Sequence, residues 1–188
     1  MIANLLLRAR IDLLMRWMWI DTITNFQPGK SMTALKHVSR AEEHLADHFA
    51  EDHQRNMPAL AVMPASLVIE GMAQTAGILV GACNDFQEKV ILAKVVIARL
   101  SRDARPGDSL RYHATLDRID RAGAATSGEV ALRSGGEDAW NVIGQIDLLF
   151  SHIDNNMAGI EFPEENFVFS DNFRSILRDV GIVSDGSS

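Results

Sequence analysis

The sequence has little of several residue types, and each shortage excludes a class of protein. Its single cysteine, Cys83, excludes a disulfide framework and a cysteine-rich zinc site, so we expect a reducing compartment. Five prolines and 13 glycines among 188 residues are too few for a collagen-like or low-complexity chain. The 18 basic residues are outnumbered by 25 acidic ones, and a net charge of −7 argues against nucleic-acid binding. No uncharged run reaches the roughly 18 apolar residues that a membrane span would need.

What is present fits a soluble globular protein, because 47% of the residues are hydrophobic and 23% are charged. We predict one domain over residues 16–153, preceded by an extension over 1–15 and followed by an acidic extension over 154–188. Charged residues interrupt the apolar N-terminus, so we expect no secretory signal and a cytoplasmic protein. In the C-terminal extension, Ser170 is placed to cap a short helix that carries Phe173, Ile176, Leu177 and Val180, ahead of a frayed end.

A helix is predicted from Pro64 to about Cys83. Proline suits the first helical turn, and apolar residues follow at close to the 3.6-residue period. The remaining positions are mostly glycine and alanine, so the helix has very little polar surface and is expected to be buried. Cys83, at its end, is expected to lie in the core.

The other segments of the body alternate with the two-residue period of strands. Before the helix, two such segments flank the turn residues Pro28 and Gly29 and predict a hairpin. Four longer segments follow the helix, and the first of them, Val90–Ala98, is apolar on both faces as in a central strand. With no helix between these strands, the predicted class is α+β, a curved antiparallel sheet wrapped around one long buried helix. Such a sheet leaves a face and an edge open, which predicts a homodimer.

One motif resembles a known family. The segment from Val62 to Gln74 reads V-M-P-A-S-L-V-I-E-G-M-A-Q, and His48 and Phe49 form an H-F pair upstream. Both are similar to the FabZ/FabA-type (3R)-hydroxyacyl-ACP dehydratases, whose pattern is H-F-P-G-x-P-x-M-P-G-x-x-x-x-E-x-x-A-Q and whose fold is the hotdog. The A-R-P-G-D segment that begins at Ala104 also resembles a turn of that family.

The resemblance implies roles for individual residues. Glu70 matches the catalytic acid, Gln74 is its neighbour one helical turn on, and His48 matches the catalytic histidine. Ala65 takes the place of the glycine whose backbone N–H polarises the thioester carbonyl. The family draws its histidine and its carboxylate from opposite subunits, so the resemblance places the site at a dimer interface.

These residue types suit the chemistry that the family performs. Removing a proton beside a thioester carbonyl builds negative charge on the oxygen, and a helix N-terminus offers free N–H groups to that charge. An imidazole can accept the C2 proton, and a protonated carboxyl group can donate to the departing hydroxyl. Glu70 stands on an otherwise apolar helix, and Gln74 at i+4 is within reach to orient it.

The segment between the two catalytic types departs from the family pattern. His48 and Glu70 are 22 positions apart, eight more than in the pattern, and Ala50 and Glu51 replace its Pro-Gly. Residues 57–62 nearly repeat as residues 63–68, which indicates a six-residue duplication. The longer loop either bulges out and returns His48 to the site or displaces it. His53, inside the insertion, is the alternative histidine.

The leading functional hypothesis is dehydration of a (3R)-3-hydroxyacyl thioester to the trans-2-enoyl thioester in fatty-acid biosynthesis, without cofactor or metal. Hydrolysis of an acyl thioester is the enzymatic alternative, and a non-catalytic acyl-thioester-binding protein is the other. Implied partners are an acyl carrier protein or coenzyme A thioester and further copies of the chain, as a dimer or a trimer of dimers. A basic cluster could receive an acidic carrier: Lys94, Arg99, Arg102 and Arg105.

Overall fold

The structure, a computed structural model, describes residues 17–153 and 176–182. Two helices and six strands follow one another along the first of these segments. They are β1 (Thr22–Gln27), β2 (Ser31–His37), α1 (His44–Asp47), α2 (Ala65–Gly81), β3 (Lys89–Leu100), β4 (Ser109–Asp120), β5 (Gly123–Arg133) and β6 (Asn141–Ile153). A short 3-10 turn, Ala82–Asn84, extends α2.

The six strands form one antiparallel sheet in the order β1-β2-β4-β5-β6-β3, and α2 packs against it. The predicted α+β class and the single buried helix are therefore confirmed, as is the hairpin around Pro28 and Gly29. The prediction that Val90–Ala98 is a central strand is wrong for the single chain, because β3 is an edge strand. Its apolar residues lie largely exposed along that edge.

A β-bulge changes which side of β6 faces the core. Alternation from Trp140 would place Val142 on the same face as the buried Ile146. The pairing skips one residue between Val130↔Gly144 and Ala131↔Val142, so Ile143 is the extra residue in the bulge. As a result Ile143 is buried while Val142 is exposed, the reverse of what uninterrupted alternation predicts.

Helix α2 begins one residue later than predicted, with Pro64 as its N-cap. Most of its residues are buried, which explains why Ala65–Asn84 combines a mean hydropathy of 1.4, high enough for a membrane span, with a place in the core of this fold. The prediction for Cys83 is wrong: the residue lies in the 3-10 turn and is exposed. Burial of part of the side chain nevertheless raises the pKa of the Cys83 thiol.

Only part of the terminal predictions falls on described residues. Residues 1–16, 154–175 and 183–188 lie outside them, so the N-terminal extension, Ser170, Phe173 and the predicted frayed end do too. Residues 176–179 are helical, and Leu177 is buried in the core cluster. Gly181, with φ of 71°, follows this turn in a left-handed conformation that glycine tolerates well.

Close packing of α2 on β4 depends on Gly71. A Cβ atom at this position would lie 2.5 Å from the ring of Tyr112, which is fully buried. We expect Gly71→Ala to lower the free energy of unfolding by about 1–3 kcal/mol, because the helix or the ring must shift. Gly77→Ala is the matched control, since its Cβ would meet Phe150 at an ordinary 3.6 Å and alanine favours the helix by up to about 1 kcal/mol. Urea denaturation of both variants measures the difference, and equal stabilities would contradict it.

Candidate active site

The first turn of α2 offers free backbone donors. The N–H groups of Leu67 and Val68 both point back to the carbonyl oxygen of Pro64. Those of Ala65 and Ser66 have no acceptor among the described residues, and both residues are exposed. The positive end of the helix dipole and these two N–H groups can therefore receive an oxygen that gains negative charge.

Glu70 lies one turn further along α2 and is only partly buried. Its Oε1 accepts a hydrogen bond from Gln74 Nε2 at 3.1 Å, the contact that the i,i+4 spacing predicts. The indole Nε1 of Trp17 donates to the same oxygen, also at 3.1 Å. Among the described residues, no donor reaches Oε2.

Both the oxygen and the nitrogen of the Gln74 side-chain amide make hydrogen bonds. Its Oε1 accepts from the backbone N–H of Trp19 at 2.9 Å, while its Nε2 donates to the carbonyl of Trp17 at 3.0 Å and to Glu70. Exchanging the amide oxygen and nitrogen would set donor against donor at Trp19, so the orientation is fixed. The segment that precedes β1 is thereby tied to the helix beside Glu70.

His48 is held next to the start of the same helix. Its Nδ1 lies 3.1 Å from the carbonyl oxygen of Val62, and the N–H of Val62 donates to the His48 carbonyl at 2.9 Å. A carbonyl can only accept, so Nδ1 carries a proton, and in the neutral imidazole Nε2 then has the lone pair. Val62 comes two residues before Pro64, so this contact fixes His48 at the entrance to α2.

The inserted residues form a hairpin-like excursion whose two ends meet at His48 and Val62. Phe49 and Leu60 exchange backbone hydrogen bonds, and Asp52 pairs with Met57 nearer the tip. The extra length therefore projects outward and leaves His48 beside Val62. His53 is at the tip, with its side chain 84% exposed and 3.5 Å from Glu51.

A buried ionic group supports the segment that leads to His48. The ammonium group of Lys36 is almost fully buried and bridges the carboxylates of Asp21 and Glu42. Glu42 also lies 3.8 Å from His44, whose ring makes an edge contact with Trp19. Burial lowers the pKa of His44, which favours its neutral form.

Tyr112 lies behind α2, against Gly71. Its hydroxyl group is buried and has no partner among the described residues. Burial raises the pKa of this phenol, and the nearby carboxylates of Asp21 and Glu42 raise it further, so the group is neutral. Tyr112 therefore packs against the helix that carries Glu70 and brings no charge close to Glu70.

A cleft of about 700 Å³ lies between the β3–β4 connection and the end of β5. It contains two of the four residues of the predicted basic cluster, Arg102 and Arg105, together with two aspartates. The carbonyl of Ala104 accepts the N–H of Met63 at 2.8 Å, so the cleft adjoins the start of α2. Among the described residues, no three or more His, Cys, Asp or Glu side chains are grouped as they would be around a metal ion.

Two features of the site were not predicted from the sequence. Trp17 was assigned no role, since a tryptophan before a strand carries no signal of a contact 53 residues away. The carbonyl of Val62 was also missed, because a backbone acceptor has no signature in the residue type. The family motif predicts the side chains and the contact between Gln74 and Glu70, whereas the contacts of Trp17 and Val62 are seen only in the fold.

The solved structures that resemble this chain share its fold. A dehydratase heterocomplex, ApeI:P, from Xenorhabdus doucetiae aligns with a TM-score of 0.54 and 16% identity over 74% of this chain and 85% of that one. The protein smu.793 from Streptococcus mutans, solved with acetyl CoA, aligns with a TM-score of 0.52 and 8% identity over 70% and 87%. At these identities the likeness establishes the class alone: a hotdog-type sheet wrapped around one helix.

Sequence comparison then defines the family. The family model of the FabA-like domain matches residues 13–138, and the chain belongs to this family. A relative from Jannaschia, a 3-hydroxyacyl-[acyl-carrier-protein] dehydratase FabZ, is 32% identical over 58% of this chain and 70% of its own length. A FabZ of the same name from Rickettsia rickettsii is 34% identical over 52% of this chain and 63% of its own length.

Proposed function

We propose that this protein dehydrates a (3R)-3-hydroxyacyl thioester, carried by an acyl carrier protein, to the trans-2-enoyl thioester in fatty-acid biosynthesis. Membership of the FabA-like family and the FabZ relatives support the reaction type. His48, Glu70 and the N-terminus of α2 are the proposed site, supported by Gln74. His53 is not proposed, because its side chain is 84% exposed at the tip of the hairpin.

Each group has a defined task in this reaction. The Nε2 of His48 takes the C2 proton, and the thioester oxygen gains charge that the N–H groups of Ala65 and Ser66 stabilise. Glu70, protonated on Oε2, gives its proton to the C3 hydroxyl. The C3–O bond then breaks, water leaves, and the electron pair of the C2–H bond becomes the second bond between C2 and C3. A proton then passes from His48 to Glu70 through solvent, which restores the protonation state that each residue had before the reaction.

The observation that carries the proposal is the pair of hydrogen bonds between His48 and Val62. Because they hold His48 at the base of the insertion, the eight additional residues do not separate it from the start of α2. They also fix the tautomer that has a basic Nε2. A displaced histidine would instead have favoured a binding protein without catalytic activity.

Incubation with a trans-2-enoyl thioester tests the reaction in the hydration direction. Loss of the conjugated absorbance without release of a free thiol is the expected result for a dehydratase. Release of the thiol would show a thioesterase, and saturable binding without turnover would show an acyl-thioester-binding protein. Chiral analysis of the 3-hydroxy product should give the R enantiomer.

The homodimer is also part of the proposal. The outer edge of β3 pairs with no other strand of the described chain, and Leu92, Val95 and Val96 are exposed along it. Unpaired backbone groups beside exposed apolar side chains are suited to pairing with a second copy. In the family, this assembly is what brings a histidine and a glutamate from opposite subunits into one site.

We expect light scattering after size exclusion to give about twice the chain mass of 20.7 kDa, or six times it for a trimer of dimers. Val96→Lys should shift the protein towards the monomer and reduce activity with it, because a charge is placed on the pairing edge. Ile119→Lys, an equally drastic change near the end of β4, should leave the mass unchanged. A monomeric, fully active wild type would contradict the interfacial site.

The cleft beside α2 is proposed to receive the carrier protein. We expect Arg102→Glu with Arg105→Glu to raise KM for a carrier-linked substrate at least about fivefold, because rim charges act mainly on association. KM for the same acyl group on coenzyme A or a short pantetheine should change less. Arg118→Glu with Arg121→Glu changes the net charge equally at the far end of β4 and should have little effect on either substrate. Equal losses for both double variants would contradict a local docking site.

A further inference from the structure

Trp17 makes a contact with Glu70 that the proposed reaction does not yet account for. Its indole N–H and the side-chain amide of Gln74 both donate to Oε1 of the carboxylate, each at 3.1 Å. Both donors therefore bind the same carboxylate oxygen. Among the described residues, Oε2 receives no hydrogen bond.

The indole is held in place by groups other than Glu70. The carbonyl of Trp17 accepts from Gln74 Nε2 at 3.0 Å, and the N–H of Trp19 donates to Gln74 Oε1 at 2.9 Å. The rings of Trp17 and Trp19 meet edge to face with centroids 5.6 Å apart. The donor that meets Glu70 is thus fixed from the backbone and from the ring, although the Trp17 side chain is about half exposed.

We propose that Trp17 is a positioning residue for Glu70, which makes Oε2 the oxygen that exchanges a proton with the substrate. This inference rests on the proposed function. A carboxylate on a flexible side chain rotates freely and can present either oxygen. Two donors on Oε1 oppose that rotation and leave Oε2 as the oxygen that neither of them binds. Fixing a reacting group in one orientation increases the rate of the chemical step more than it increases substrate binding.

A purely steric role for the half-exposed ring, as a wall of the acyl-binding site, makes a different prediction for two variants. Trp17→Phe keeps an aromatic ring and removes the N–H group. Trp17→His gives a smaller ring whose Nε2 occupies the same place in a five-membered ring as the indole Nε1, so it retains the donor. A positioning role favours histidine over phenylalanine, whereas a steric wall favours phenylalanine over histidine.

We expect Trp17→Phe to lower kcat about tenfold with KM changed less than twofold, since one of the two hydrogen bonds that hold Oε1 is lost. Trp17→His should recover most of that loss. Trp140→Phe is the matched control. The ring of this tryptophan contacts Arg111 of β4 and Arg133 of β5, so its replacement should leave kcat unchanged. A better enzyme with phenylalanine than with histidine, or a rise in KM alone, would overturn the proposal.

A measurement that needs no turnover separates this proposal from the proposed function. The indole N–H signals of Trp17, Trp19 and Trp140 can be assigned by nuclear magnetic resonance from single Trp→Phe variants. Glu70→Ala, which removes the acceptor of the indole N–H, should move the Trp17 signal and leave that of Trp140 in place. An unmoved Trp17 signal overturns the proposal even if the wild type is active. An inactive wild type overturns the proposed function, while the Trp17 signal still shows whether the indole holds Glu70.

Discussion

Glu70→Gln is expected to lower kcat for hydration of a trans-2-enoyl thioester at least about 100-fold, the lower end of what a general acid–base group contributes. The amide has the shape of the carboxyl group but cannot exchange a proton with the substrate. Its oxygen can still accept from Trp17 and Gln74, so the contacts on the Oε1 side survive. KM should change little, because the lost interaction belongs to the transition state.

Two controls make this result specific. Glu129→Gln removes a carboxylate of equal charge from an exposed position on β5 and should keep the wild-type rate. Glu70→Asp keeps the carboxyl group but withdraws it by about one methylene, so an intermediate loss is expected from misplacement alone. Thermal melts establish that all three variants fold. A Glu70→Gln enzyme within fivefold of the wild type would remove the carboxylate from the mechanism.

The fold could be predicted from the sequence because its pattern is local. Period-two alternation and turn residues located the strands, and the shortage of polar residues between Pro64 and Cys83 identified a buried helix. The errors lie where tertiary pairing decides the outcome. An apolar strand such as β3 has the same residues whether its neighbour is a strand of the same chain or a second copy. The bulge at Ile143 depends on the register with β5, which composition does not reveal.

In the candidate site, too, the local contact could be predicted from the sequence and the position set by tertiary pairing could not. The types and spacing of Glu70 and Gln74 predicted their mutual contact, because four residues on a helix always bring two side chains to one face. The position of His48 could not be predicted, since a loop of altered length has no period from which to read it. The structure resolves the geometry through backbone groups: the insertion is paired across its own stem, and Val62 meets His48 at the base.

The same geometry predicts which of the two histidines carries the chemistry. His48→Asn should lower kcat by about 100-fold to 10,000-fold, the range for loss of a positioned general base. The amide nitrogen of asparagine corresponds to Nδ1 of histidine, so it can still donate to the carbonyl of Val62 and preserve the stem of the insertion. What the variant lacks is Nε2. The fall in kcat therefore measures the contribution of the general base separately from that of the hydrogen bond to Val62.

His53→Asn is the matched control and should retain the wild-type rate, because its side chain lies in solvent at the hairpin tip. Steady-state hydration of the enoyl thioester and a thermal melt of each variant are sufficient to compare them. If His53→Asn were the inactive variant, the tip of the hairpin would have to reach a site on another subunit, and the anchor at Val62 would serve only to hold the loop. Loss in both would indicate that the insertion folds as one unit with the site. Loss in His48→Asn alone assigns the base to the residue whose Nε2 is left free beside the start of α2.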